Sequence, residues 1–420
     1  MRRGIIDCYS WERHRSVGRG AHPDSDAPSC REPRSSPPSE GRDTKGRSTS
    51  EQSPPRRTRV LCLNHRDPLH PRAGGAERYL WEVLSRLDPK RYAVTWRSEA
   101  VRGRPKLEQM GPIRVVRRGG RVAFQLLAPF VAGGFDLVIE SVAHAVPFHT
   151  GFTHRGPRLI ILYHVHQAVL GRELPWGIAV IARFLERTVR FESGTFLAIS
   201  ETTRDEARRT LGVSAPIDVI PPGVDHGFYR PGGERSVPPN FLCLGRLRRY
   251  KRVDTAIAAF ATLPEPGTLT IVGEGEDRAR LEKVTHNVRG VRFTGSVPEE
   301  EKLRLLQGAT ALVAASEAEG FGLTVLEAGA VATPTVAVDR PVFREVVEDR
   351  VSGVLVAAND VPSMASGLRW ARDHPELREG ARAFALRFDW ETTADRFSRL
   401  VERTVRPPVR PVDRGPGGTE

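Results

Sequence analysis

Glu319 and Glu327 bracket a short glycine turn in the stretch Ser316-Glu-Ala-Glu-Gly-Phe-Gly-Leu-Thr-Val-Leu-Glu327. Carboxylates accept hydrogen bonds from hydroxyl groups, and Gly320 and Gly322, on either side of Phe321, allow backbone N–H groups to face a ligand. Eight residues of helix rise about 12 Å, less with a turn included. That spacing suits two carboxylates holding opposite ends of one folded-back nucleotide sugar, with Gly320, Phe321 and Gly322 in the donor site between them. The alternative for Glu327 is an ordinary solvated helix residue, against which its apolar neighbours Val325, Leu326 and Ala328 speak.

Three other stretches carry chemistry. Gly245-Arg-Leu-Arg-Arg-Tyr-Lys251 combines the planar fork of Arg246 with the mobile point charge of Lys251, a pair suited to a diphosphate; read alone, it is equally a solvated basic loop. Ala73-Gly-Gly-Ala-Glu-Arg78 places Gly74 and Gly75 before a helix, where backbone N–H groups approach anions. The same stretch also fits a plain β–α turn in which Glu77 supports the helix dipole. In Tyr163-His-Val-His-Gln167, alternation sets His164 and His166 on one side if the strand continues, and either imidazole suits a sugar hydroxyl or a structural hydrogen bond. No third ligand lies at metal-binding spacing.

These stretches all follow short apolar runs, which is where ligands bind in open parallel α/β sheets. A first series of strand-like runs covers 59–65, 92–97, 113–117, 136–140, 158–164 and 195–200, with helical patterns after Gly75, within 175–192 and after Thr202. The segment Ile220-Pro-Pro-Gly-Val-Asp225 breaks the periodicity and reads as a linker. A second series follows, with strands at 240–244, 268–272, 291–294, 311–315 and 334–338 and helices at 254–263, 277–285, 299–307 and 323–330. The expected organisation is an α/β chain with a basic disordered tail at 1–57, a Rossmann-like domain at 58–225, a second at 226–390, a helix at 391–404 packing back on the first, and a disordered tail at 405–420.

The chain has 420 residues and a formal net charge of +13, which fits an anionic small ligand, a membrane surface or nucleic acid alike. No aromatic-interleaved basic motif supports nucleic acid. Its four cysteines show no paired spacing, which points to a reducing compartment. The longest apolar region, from Val122 to Phe148, is broken by Gly133, Gly134, Asp136 and Glu140, so no membrane span is expected. The early arginines precede no apolar block, so no secretory signal is read and a cytoplasmic location is expected, with the inner face of the membrane as a further option.

Together the motifs resemble glycosyltransferase family 4, retaining enzymes of GT-B fold that use nucleoside-diphosphate sugars. The resemblance covers Arg59 to about Thr404 and rests on Glu319 with Glu327, Gly245-Arg246 with Lys251, Gly74 with Gly75, and Ser200-Glu201 with the stretch ending at Asp225. It implies two doubly wound domains facing a central cleft, with Arg246 and Lys251 on the diphosphate, Glu319 on the donor sugar and Glu327 on the ribose. Gly74 and Gly75 would line the cleft from the other domain, and His164 would sit near the reacting sugar, with His166 as second choice. Pro222 stands where the family usually has Asn, and Ala332 where Gly is usual.

The implied reaction needs no metal or other cofactor and moves a hexosyl unit to a glycan, lipid-linked or small-molecule acceptor. An epimerase or phosphorylase of the same architecture and an inactive sugar-nucleotide-binding partner are the competing readings. The segment from Leu174 to Leu185, with Trp176 and Phe184 near Arg183 and Arg187, reads as an ordinary core helix; contact with anionic lipid headgroups is its alternative.

Overall fold

The computed structural model describes residues 56–406 apart from 234, 235 and 266, so nearly all of both expected tails lies outside the described residues. The first domain contains β1 (Thr58–Leu63), α1 (Gly75–Ser85), β2 (Tyr92–Ser98), β3 (Leu107–Met110), β4 (Ile113–Arg117), α2 (Arg121–Leu127) and β5 (Leu137–Val142). It continues with β6 (Arg158–Leu162), α3 (Gln167–Glu173), α4 (Trp176–Arg187), β7 (Thr195–Ala198), α5 (Glu201–Glu206) and β8 (Ile217–Val219). These strands form one sheet in the order β3-β4-β2-β1-β5-β6-β7-β8. All pairings are parallel except that of β3 with β4.

The second domain contains β9 (Asn240–Leu244), α6 (Val253–Ala261), β10 (Thr268–Val272), α7 (Arg278–Val284), β11 (Val291–Gly295), α8 (Glu299–Gly308) and β12 (Ala311–Ala314). After it come α9 (Leu323–Ala330), β13 (Thr335–Val338), α10 (Pro341–Arg344), β14 (Gly353–Val356), α11 (Val361–Asp373) and α12 (Leu377–Ala385). Its sheet is wholly parallel, in the order β11-β10-β9-β12-β13-β14. Central strands such as β1 and β6 read as continuous apolar runs because both faces are covered, and Val60 to Leu63 are fully buried.

The chain crosses between the domains twice, and the two crossings lie back to back. Val224 bridges Asp389, and its N–H donates to the carbonyl of Phe388 at 3.3 Å. A Cβ on Gly223 would stand 2.2 Å from the Asp389 backbone, so only glycine permits this approach. The last helix, α13 (Trp390–Val405), then lies on the first domain. Its Trp390 ring meets Tyr79 edge-on at 6.2 Å, Arg86 reaches Glu391 at 3.0 Å, and Arg396 donates to the Val219 carbonyl at 2.7 Å.

Ala332, where the resemblance leads one to expect glycine, has a φ of 59°, in the left-handed region that a Cβ disfavours. Removing that Cβ relieves about 1–2 kcal/mol of steric strain, against an entropic cost of about 0.5–1 kcal/mol for glycine. The Ala332→Gly variant is therefore expected to gain roughly 0.5–1 kcal/mol in denaturant unfolding. A lower unfolding midpoint would contradict this account.

Candidate active site

The C-terminal ends of both sheets face one seam between the domains. From the second domain, the end of β9 delivers Gly245 and Arg246, and the end of β12 leads through Ser316 to Glu319; with Lys251 and Thr324 these line one pocket. Lys251 Nζ is ion-paired with a carboxylate oxygen of Glu319. Burial opposes the Lys251 charge, but Glu319 more than offsets this and raises the ammonium above the usual lysine value. The two motifs read separately in the sequence thus form one charged unit.

From the first domain, the turn before α1 meets Arg246. Its Nη2 donates to the Arg72 carbonyl at 3.3 Å and lies 2.6 Å from where a Gly74 Cβ would be. A Cβ on Gly75 would touch Leu323 at 3.2 Å. Both glycines therefore lie where the domains meet. The Gly74 N–H, however, donates to Glu77 Oε2 at 2.7 Å, so this amide caps its own helix rather than facing a ligand.

Gly320 abuts the other side of the seam. A Cβ there would lie 2.5 Å from the Tyr163 carbonyl, a backbone atom that cannot move aside cheaply. Gly322 starts α9 with a left-handed φ of 95°. The Phe321 ring, grouped with the ligand contacts in the sequence reading, is buried instead, edge-on to Phe388 at 5.7 Å.

Glu327 is 4% exposed and turns toward both domains. Its Oε1 accepts from Arg78 of α1 at 3.0 Å and its Oε2 from Lys302 of α8 at 3.0 Å. Arg78 also lies 3.4 Å from Glu299, which accepts from the Tyr229 hydroxyl. Burial opposes the Arg78 charge, yet Glu327, Tyr229 and Glu299 together raise its pKa above the ordinary arginine value. The solvated-helix alternative for Glu327 does not hold.

The strand β6 ends at Leu162, so His164 and His166 do not share a continuing strand, yet their rings lie 3.7 Å apart. His166 precedes α3, with its N–H donating to Glu186 Oε1 at 2.6 Å and its Nδ1 3.0 Å from the same oxygen. His164 is neutral: burial, then His166, then the nearby Lys251 charge hold its pKa well below the usual value. Because Gly320 rests against Tyr163, Glu319 with its partner Lys251 and His164 lie next to the same contact across the seam.

Likeness to known proteins points to the same class of site. Residues 73–228 match the model of glycosyltransferase family 4, and residues 230–386 match that of glycosyl transferases group 1. Each half of the described chain thus matches a glycosyltransferase model.

A glycogen synthase of Mycobacterium tuberculosis is 34% identical over 275 residues, 60% of this chain and 65% of that relative, so the match spans under two thirds of the relative's length. A GDP-mannose-dependent phosphatidylinositol monomannoside mannosyltransferase of the same organism is 26% identical over 348 residues, covering 74% of this chain and 88% of its own. Among solved structures, sucrose-phosphate synthase from Thermosynechococcus elongatus superposes with a TM-score of 0.71 at 21% identity, covering 83% of this chain and 99% of its own. An Anabaena protein solved in complex with UDP-glucose gives 0.63 at 18% identity over 82% and 99%. The fold is GT-B.

The chain also brings to its seam polar residues with no counterpart among the motifs named above. Asn64, His65, Arg66 and Asp67 form a buried polar run directly after β1. Asn64 donates to Glu77 Oε1 at 3.0 Å, and the His65 ring stands 5.1 Å from His144. Four polar residues directly after an apolar strand were the available signal. His144 had none, because its neighbours in sequence are apolar and its partners come from other loops.

Burial is the main reason that His65 and His70 are lowered to about 4, and it holds His144 and His164 well below the usual value too. Below the unfolded value of about 6.5, the unfolded chain takes up protons that these folded imidazoles refuse, so stability falls with pH. For His65 and His70 that loss is complete near 4, where the folded rings protonate as well. The melting temperature is expected to drop between about pH 7 and about pH 5, above most carboxylate titration. A flat profile over that interval would contradict neutral buried imidazoles.

Proposed function

We propose that this enzyme is a retaining glycosyltransferase that moves a hexosyl unit from a nucleoside-diphosphate sugar to a hydroxyl of a glycan, lipid-linked or small-molecule acceptor. The carrying observation is the Lys251–Glu319 pair in a pocket lined by Gly245 and Arg246, beside the contact of Gly320 with Tyr163, the neighbour of His164. A cation and a carboxylate side by side suit a ligand that is anionic at one end and hydroxylated at the other. Relatives support this class of donor: one is GDP-mannose-dependent by name, and one neighbour was solved with UDP-glucose.

In this reading Arg246 and Lys251 hold the diphosphate. Lys251 has three N–H donors, so it can keep Glu319 and still donate to a phosphate oxygen. Glu319 accepts from hydroxyls of the donor sugar. Each oxygen of Glu327 accepts one bond in the structure and retains a further lone pair, so ribose hydroxyls can be accepted without breaking the pairs with Arg78 and Lys302. His164, buried and neutral, presents an imidazole to the reacting sugar. Its Nδ1 and those of His65 and His144 are buried with no hydrogen-bond partner among the described residues, which gives the first domain polar atoms for hydroxyl groups.

The bond from the sugar's anomeric carbon to the diphosphate oxygen breaks, and the acceptor oxygen bonds that carbon from the same face. The departing phosphate oxygen takes the acceptor's proton. Arg246 and Lys251 stabilise the negative charge that develops on the leaving group. With Glu319 committed to Lys251 and Glu327 to Arg78 and Lys302, no covalent glycosyl-enzyme on either carboxylate is needed. The two cations also take the role that a divalent ion would otherwise play, so added chelator is expected to leave turnover unchanged.

Donor hydrolysis by the purified protein against UDP-, GDP- and ADP-sugars tests the class of reaction. Arg246→Ala and Lys251→Ala are each expected to lower turnover by roughly 10²–10³-fold while the melting temperature changes little. Unaltered rates in both variants would overturn the assignment. Donor conversion that needs no acceptor and releases no nucleotide would point to an epimerase, and a requirement for inorganic phosphate to a phosphorylase.

A further inference from the structure

The helix α4 is amphipathic in the reverse of the expected sense. Its inward face is small and polar, with Ala179 and Glu186 buried. Its outward face carries Trp176 at 84% exposure, Phe184 at 68%, Ile181 at 61% and Ile178 at 55%. The core-helix reading of this segment is therefore overturned. A large contiguous apolar patch on a folded surface marks an interaction site.

The patch extends beyond the helix. In the following turn, Phe191 is exposed, and Thr188 Oγ1 lies 3.1 Å from His149 Nε2. The His149 ring is 5.9 Å from Phe152, and the neighbouring Thr153 hydroxyl donates to the Pro129 carbonyl, beside Phe130. Phe152 and Phe130 are themselves 85% and 74% exposed. Aromatic side chains thus project from one helix and three adjoining turns.

Charge selects among the surfaces that could cover them. From Trp176 to Phe191 the charged residues are Arg183, Glu186, Arg187 and Arg190. The lone carboxylate, Glu186, is buried and occupied with His166 and Gln167, so the exposed charge is entirely positive. The Arg190 guanidinium stands 4.6 Å from the Phe191 ring, with charge and apolar surface side by side. An anionic bilayer offers both complements, phosphate at its surface and hydrocarbon beneath.

We propose that α4, with the turns carrying Phe191, Phe152 and Phe130, docks on an anionic lipid bilayer. Through Glu186 the docked helix holds His166 and its neighbour His164, so docking sets the first-domain side of the seam at the membrane surface. No helix among the described residues is long and apolar enough to cross a membrane, and this face binds by lying on one. The proposal is independent of which donor the second domain takes.

Co-sedimentation of the full chain with vesicles of phosphatidylcholine alone, or mixed with phosphatidylglycerol, tests this. Binding is expected to be several-fold stronger to the anionic vesicles and to fall with added salt. A Trp176→Asp, Phe184→Asp double variant is expected to bind about tenfold more weakly, with melting temperature and donor hydrolysis unchanged. Arg187→Glu with Arg190→Glu is expected to abolish the preference for anionic vesicles. Equal sedimentation with both vesicle types, no sedimentation with either, or undiminished binding by the Asp variant would overturn the proposal. So would a wild-type dimer that the Asp variant dissociates without any vesicle binding, because the face would then be covered by a second copy.

Discussion

A carboxylate that leaves water at the junction of two domains must find cations there, because an unpaired buried charge costs several kcal/mol. Glu327 meets that requirement with one cation from each side, Arg78 on α1 and Lys302 on α8. The pairing ties the helix behind the Gly74 turn to the helix behind the Gly320 turn. Once those helices are tied, Arg246 reaches the Arg72 carbonyl and Gly320 rests against Tyr163. The charged pocket and the histidine side of the seam are therefore placed by an interaction outside the pocket itself.

Further polar contacts cross the seam. Glu345, just after α10, accepts from the Glu201 and Thr202 N–H groups and so caps α5 of the opposite domain. Arg248 pairs with Glu173 at 3.0 Å. These polar contacts stand beside apolar ones, because the cores of the two domains run together into one buried cluster. The double crossing at Gly223 and the return of α13 supply the permanent link.

The two parallel sheets were legible because buried parallel strands write themselves as apolar runs, and the glycine and charge signals stood directly after them. The strands β3, β8 and β14 escaped, each a three- or four-residue strand at a sheet edge, whereas β7, β12 and β13, four residues long but inside their sheets, read as apolar runs. The pairing of Arg78 with Glu327 spans 249 positions, and nothing local encodes it. The helix α4 shows a different limit. Apolar spacing gives a helix its two faces but not which one the fold turns inward, and here Glu186, bound to His166, takes the inward side. The departure at Ala332 was legible, and the structure gives its physical content as a left-handed backbone.

In the proposed reaction a nucleoside-diphosphate sugar lies between the Arg246–Lys251 pair and Glu319 at the seam. A crystal structure of the protein with such a donor, or with the nucleoside diphosphate and the free sugar, addresses it directly. The expected result is diphosphate oxygens within hydrogen-bond distance of Arg246 and Lys251, sugar hydroxyls on Glu319 and a sugar ring beside His164. A donor bound elsewhere, or one whose diphosphate contacts neither cation, would contradict it.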